Sequence, residues 1–423
     1  MGIGFKVAQM VLIIVGCLII NGCNSVEEKK RPPIHIRAMF KSDPATSLMI
    51  GWNRHKKSKK EDDRVYFDTQ DHGLKSQEYA YSAAPDHYSR YKNHYNAFVH
   101  LKELRPATRY YFLVQNSFGT SKRYYVDTLP DGRDARISFI AGGDSRNNRG
   151  PRQLANLLVR KLKPHFVLFG GDMTDKGSGN QWWRWFDDWQ LTHGDDGRVT
   201  PVITARGNHE DANSVLHELF WLSKDNYYAL TIAGGLLRTY VLNTEHSIAG
   251  EQTNWLINDL KKNSHVLWRV ASYHRSMRPH VSSKNEGTAT YKFWAGVFYD
   301  YGMDVVFESD SHAVKSTWPI RPSLERGHDE GFVRDDEMGT VYVGEGTWGA
   351  PLRSADDNKN WTRDSGKFNQ FKWVFVDEGK IEMRTIKVDN AMEVTPVDLL
   401  ERFTLPTELE VWNPANGPVV TIE

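Results

Sequence analysis

The chain has 423 residues, with 54 Lys and Arg set against 53 Asp and Glu. That length exceeds what one compact core ordinarily supports, so two domains are expected. A formal net charge of +1 excludes a large basic face of the kind that holds nucleic acid.

In chain order, Met1 to Cys23 opens with a short start bearing Lys6. An apolar run from Val7 to Ile20 follows, and then Ile20-Asn21-Gly22-Cys23 ahead of a polar tail. The run is too short for an ordinary membrane span and reads as an export signal over residues 1–22, with a plain signal peptide or a single anchor helix as the alternatives. Ile-Asn-Gly-Cys resembles the lipobox of bacterial lipoproteins. The resemblance implies that Cys23 carries the lipid, palmitate included, and that the protein is an exported lipoprotein of the cell envelope, at the outer membrane or cell surface. The 2 cysteines are Cys17 and Cys23, so cleavage ahead of Cys23 leaves a mature chain with no disulfide. Residues 23–33, charged and ending in Pro32-Pro33, suit a tether.

From residue 34 to 128 the pattern is one of short alternating strands, among them Leu48 to Trp52, Arg64 to Phe67, Asn96 to Leu101, Tyr110 to Val114 and Tyr124 to Val126. Strands at this spacing imply a β-sandwich. Leu104-Arg105-Pro106-Ala107-Thr108-Arg109-Tyr110 resembles the L-x-P-x-T-x-Y turn of fibronectin type III domains. The run Lys56 to Asp63 reads as a solvated hairpin tip or, alternatively, a basic contact patch. Leu129-Pro130-Asp131-Gly132-Arg133 is a strong breaker and marks the domain boundary.

Over 134–400 strands alternate with helices, which predicts a layered α/β domain, and 401–423 is left as a C-terminal extension. Strands are expected at Arg136 to Ala141, His165 to Phe169, Val199 to Ala205, Val266 to Ser272 and Val305 to Glu308. Helices are expected near Arg152 to Leu162, Asn180 to Gln190, Asn213 to Leu222, Thr253 to Lys262 and Ala289 to Tyr301. A second set of strands follows Val314, including Val341 to Val343, Phe371 to Val376 and Lys380 to Val388. Trp182, Trp185, Phe186 and Trp189 recur at i, i+3, i+4 and i+7 and form a core face, whereas Trp183 falls off it and is a candidate stacking platform near the site.

Five strand ends carry ligand-type residues: Gly142-Gly143-Asp144-Ser145-Arg146, Gly171-Asp172-Met173-Thr174-Asp175, Gly207-Asn208-His209-Glu210, Ser272-Tyr273-His274-Arg275 and Ser309-Asp310-Ser311-His312. Carboxylates, amide oxygen and imidazole together suit two divalent or trivalent metal ions, Zn, Mn or Fe. A pair of such ions holds a hydroxide for in-line attack on phosphorus and needs a carboxylate to bridge it.

At these residues the chain resembles the calcineurin-like metallophosphoesterases, and with its fibronectin-like front domain it is most similar to their purple acid phosphatase branch. That family's ordered pattern is GDxG, GDxxY, GNH[ED], VxxH and GHxH. The resemblance implies an αββα sandwich with a dinuclear centre. Asp144 and bridging Asp172 are then ligands, as are Asn208, His274 and His312, with His209 assisting on the leaving-group side. The chain departs from the pattern at three positions. Asp175 stands in place of Tyr, either as an oxygen ligand or outside the first coordination sphere; Asp310 replaces the first His of GHxH, which keeps a metal ligand but exchanges imidazole for a harder, charged oxygen; and Arg146 stands where many relatives carry a metal-binding His. Arg146 is a candidate fork onto a phosphate oxygen. The loop Gly344 to Arg353 lacks the spacing of a nucleotide P-loop and reads as a wall of the site, with Arg353 a distant contact.

The chain is therefore expected to be an exported, lipid-anchored phosphoester hydrolase, foremost a phosphomonoesterase, acting on a phosphorylated small molecule or glycan. The alternatives are a phosphodiesterase on nucleotides or lipid headgroups, and a non-catalytic surface lipoprotein with a degenerate site.

Overall fold

A computed structural model describes residues 31–423; the export signal, Cys23 and residues 24–30 of the tether lie outside the described residues. Why the apolar runs become central strands is seen in Ile137–Gly142, Phe166–Phe169 and Val202–Thr204, which pair in parallel and are covered on both faces. Strands buried on two sides need apolar residues at every position, hence Phe-Val-Leu-Phe rather than an alternation. These three form the middle of a ten-stranded sheet. A second, seven-stranded sheet is centred on the parallel strands Leu237–Val241, Trp268–Arg275, Val305–Ser309 and Val341–Gly344.

The sheets pack face to face. Phe139, Ala141, Phe166 and Leu168 from the first sheet and Val270, Val305, Phe307 and Val343 from the second share one core. On the outer face of the first sheet, Ile140, Val167 and Phe169 meet the helices Arg149–Leu162 and Gly179–Trp189. On the outer face of the second, Tyr240, Ala271, Tyr273 and Val306 meet Glu251–Lys262 and the helical stretch from Thr288 to Asp300. The result is the helix, sheet, sheet, helix sandwich expected from the sequence. Trp182, Trp185, Phe186 and Trp189 are buried in the helix-facing core.

The front domain is a β-sandwich. One of its sheets contains Arg64–Asp68 and Arg109–Asn116; the other, Ile34–Met39, Leu48–Asn53, His94–Leu101 and His87–Tyr91. This second sheet does not stop at the boundary, because Met39 pairs with Val202 and makes it continuous with the ten-stranded sheet. The front strand Ile34–Met39 carries a buried Arg37, whose guanidinium donates to the carbonyls of Leu219 and His35 and to the side-chain oxygens of Asn53 and Asn96. With all three guanidinium nitrogens bonded, the charge is tolerated inside the joint.

Several local expectations change. The hairpin Tyr228–Ile232 and Leu237–Val241 was not among the expected strands; its apolar pattern is broken by Arg238, which folds back onto Asp259 at 2.7 Å. The helix expected from Ala289 to Tyr301 is split, with a π-helical turn over Tyr291–Ala295 between two short α-helical pieces. The charged run at Lys56 to Asp63 is not wholly solvated, since Asp63 is buried and accepts from Arg54 at 2.7 Å. At the C-terminus, Val419–Ile422 adds an edge strand to Ile381–Lys387.

Candidate metal centre

Because the central strands of each sheet are parallel, their C-terminal ends emerge on one edge, where open α/β sheets place their ligands. The turns leaving that edge are sharp. Asp144, Arg146, Asp172, Asp310 and His312 all have left-handed backbone, with φ of 59°, 48°, 54°, 70° and 62°. A side chain in that region costs conformational energy and persists only where the surroundings impose it, a pattern that clusters at functional sites. Two glycines make room: a Cβ at Gly346 would lie 1.7 Å from Asp144 Oδ2, and one at Gly207 would lie 2.3 Å from Asp172 Oδ1.

The geometry brings most of the sequence-picked residues together. Asp144, Asp172 and His312, all buried, present ligand atoms within 4.8 Å of one another. His274 Nε2 lies 3.0 Å from Asn208 Oδ1, 3.3 Å from Asp172 Oδ1 and 3.7 Å from Asp310 Oδ1. Asp172 thus faces both groups. Its backbone N–H and that of Met173 donate to the buried carboxylate of Glu210, which also receives Gly207 N–H at 2.6 Å. Glu210 belongs to the third motif but was given no role by sequence reasoning; it ties two ligand loops together. Burial, with the Asp172 charge beside it, pushes Glu210 up to about 7.

The donor set fits a metal. His312 Nδ1–H donates to the Pro351 carbonyl at 3.0 Å, which leaves the Nε2 lone pair free. That Nε2 stands 3.2 Å from Asp144 Oδ1, and both atoms are buried without a hydrogen-bond partner among the described residues. A buried carboxylate oxygen and a bare imidazole nitrogen left this way are costly unless a cation joins them. His274 likewise donates from Nδ1 to the Gly170 carbonyl at 2.9 Å. Burial pulls its ring down, but the charges of Asp172, Asp144 and Asp310 outweigh it and raise its pKa well above the usual imidazole range. Asp172 is the reciprocal case: burial pushes it up, and the charges of His274 and His209 bring it below the ordinary carboxylate range.

The remaining candidates border this cluster. Arg146 Nη1 donates to Asp172 Oδ2 at 3.0 Å while Nε and Nη2 donate to Asp175 Oδ1 at 3.2 and 2.9 Å, so Asp175 meets the cluster through the guanidinium. His209 gives its backbone N–H to Asp172 Oδ1 at 2.8 Å. Its ring Nδ1 is 2.5 Å from the Asp175 carbonyl and its Nε2 is 3.8 Å from Asp172 Oδ2. The Gly344 to Arg353 loop does wall the site. Trp348 N–H and Ala350 N–H bond the carbonyls of Gly143 and Asp144, and Arg353 Nη1 reaches those of Asp310 and Ser311. Sequence reasoning did not single out Lys284, whose Nζ is 2.7 Å from Asp310 Oδ1; a lone lysine in a loop carries no signal. Trp183 is not a platform near the site. It packs on His35 and His94, at ring separations of 4.7 and 5.7 Å, beside the front domain.

Comparison with known proteins accords with this geometry. Residues 33–128 match the purple acid phosphatase N-terminal domain and residues 144–314 match the calcineurin-like phosphoesterases. Among solved structures, the fold is similar to that of a purple acid phosphatase, PPD1, from yellow lupin seeds, at 15% identity and a TM-score of 0.71, over 89% of this chain and 76% of that one. It is also similar to PhoD, at 11% identity and a TM-score of 0.63, over 84% of this chain and 87% of that one. No curated protein sequence matches the chain.

Proposed function

We propose that this chain, which joins a purple acid phosphatase N-terminal domain to a calcineurin-like phosphoesterase domain, is an exported, lipid-anchored phosphomonoesterase that works with metal ions. The phosphoester hydrolase class follows from the family; the monoester preference, the export and the anchor at Cys23 are our reading. Export and anchoring are supported by the apolar run ahead of Ile20-Asn21-Gly22-Cys23. The observation that carries the chemistry is the pair of orphaned buried atoms, Asp144 Oδ1 and His312 Nε2, next to Asp172.

Asp144, Asp172 and His312 would hold one ion, and Asp172, Asn208, His274 and Asp310 the other. When bound, such ions offset charge on the phosphate oxygens and acidify a water. The chain's own residues do the rest. Arg146, already forked between Asp172 and Asp175, borders the cluster and receives a phosphate oxygen. His209, oriented through Nδ1, turns Nε2 toward the carboxylates. It delivers a proton from Nε2 to the alcohol oxygen as the P–O ester bond breaks, and the water that forms the new P–O bond gives its proton up to solvent.

The test compares an aryl phosphate with a bis-aryl phosphate, alongside metal content. We expect the monoester to be hydrolysed preferentially and Asp172→Asn to lose both turnover and bound metal. A clear preference for the diester overturns the monoesterase assignment. A metal-free wild-type protein, or an Asp172→Asn variant that turns over normally, overturns the metal-dependent reading itself.

A further inference from the structure

The two halves of the centre are not equivalent. In the first half, Asp144 Oδ1 and His312 Nε2 have no hydrogen-bond partner among the described residues, and the Arg146 guanidinium is directed at Asp172 Oδ2 and Asp175 instead. In the second half His274 Nε2 and Asp310 Oδ1 are both engaged. His274 Nε2 bonds Asn208 Oδ1 at 3.0 Å, and Asp310 Oδ1, the oxygen that faces His274, is the one gripped by Lys284 Nζ at 2.7 Å. Asp310 is also where the chain departs from the family pattern, carrying a carboxylate in place of an imidazole. A histidine at that position gives a neutral donor with no use for an ammonium, whereas an aspartate, 8% exposed, needs a counter-ion when no metal is present. Of the other cationic groups near Asp310, Arg275 is already paired with Glu245, and the His274 ring, 3.7 Å away, lies closer to Asp172 and Asn208.

From this asymmetry, and resting on the metal-dependent reading above, we propose that the Lys284 ammonium stands in for the second metal cation. The centre holds one ion tightly between Asp144, Asp172 and His312 and takes a second beside Asn208, His274 and Asp310 only weakly. A divalent ion and an ammonium cannot share one carboxylate oxygen without strong repulsion at these separations, so the second ion must first displace Lys284.

Equilibrium dialysis of the full chain against Mn²⁺, with elemental analysis and electron paramagnetic resonance, decides the matter. The wild type is expected to bind one ion tightly and the second at least about tenfold more weakly, a modest figure for one like charge at ion-pair distance. Lys284→Gln is expected to bind two ions with similar affinity and to show the spectrum of a coupled Mn²⁺ pair, and Lys284→Arg, which keeps the charge, to behave as wild type. Two equally tight ions in the wild type, or a second-ion affinity unchanged in Lys284→Gln, overturns the proposal while leaving the metal-dependent reading intact. No tight Mn²⁺ in any of the three proteins overturns that reading, and this proposal with it.

Discussion

Two pairs of buried carboxylates sit at the same edge of the sandwich and have opposite fates. Asp144 and Asp172 meet at the cluster with Asp144 Oδ1 and His312 Nε2 left bare. Glu308 and Glu345, carried by the neighbouring strand ends, are closed around Lys315, whose Nζ lies 2.5 Å from one and 2.9 Å from the other. The Tyr273 hydroxyl and the Met277 N–H complete Glu308 at 2.7 Å each, and the His280 N–H completes Glu345. Burial is the same in both pairs, so burial does not distinguish them. What distinguishes them is how completely the chain supplies the counter-charge: Lys315 closes Glu308 and Glu345 and braces the fold, whereas Arg146 reaches Asp172 and leaves Asp144 Oδ1 bare, open to a cation from outside.

The largest effect should come from removing the built-in cation. Lys315→Met leaves Glu308 and Glu345 buried against each other and is expected to cost about 3–5 kcal/mol in chemical denaturation. A loss below about 1 kcal/mol would erase the contrast between the two pairs.

A buried cation without a carboxylate at bonding distance sharpens it from the other side. Lys372 is 3% exposed, and Nζ donates to Thr385 Oγ1 at 2.7 Å; burial brings its pKa down from 10.5 to about 7. Between these values the unfolded chain keeps the proton and the folded chain releases it, so stability rises with pH through that window and is lowest below about 7. From pH 7 to 9 the gain is at most about 3 kcal/mol. Lys372→Met should flatten the profile and be more stable than wild type at pH 7, as read by denaturation at the two pH values. An unchanged slope would mean that the ammonium is paired or hydrated in solution.

The smallest stability effect is expected where the missing charge is meant to arrive. With metal removed by chelator, Asp144→Asn keeps an acceptor for the Asp310 N–H, now 2.9 Å from Oδ2, and should change stability by less than about 1 kcal/mol. The same variant should lose turnover by at least about a hundredfold, more than is usual for residues that only orient a ligand. A large stability loss with retained turnover would assign Asp144 to the bracing group.

Much of this is legible in the sequence. The apolar runs ending in Gly-Asp, Gly-Asn-His or Ser-Asp-Ser-His mark strand ends, and the i, i+3, i+4, i+7 tryptophans lie buried as their spacing requires. Trp183 misled because falling off a core face says nothing about which neighbour covers it; that neighbour is the front domain. Glu210 was overlooked because a motif letter does not reveal that its oxygens collect three backbone N–H groups from two loops.

By itself the sequence determined which residues stand at the ends of strands and which faces are apolar, because backbone turn preference and hydrophobic period act over a few neighbouring positions. Only the tertiary structure decided that the front sheet continues through Met39 into Val202, that Lys315 closes one pair of carboxylates, and that Lys284 and Arg146 attend the other group. Such pairings depend on which loops the packed sheets bring within a few ångströms, and charges far apart in the chain leave no periodic trace of whom they will meet.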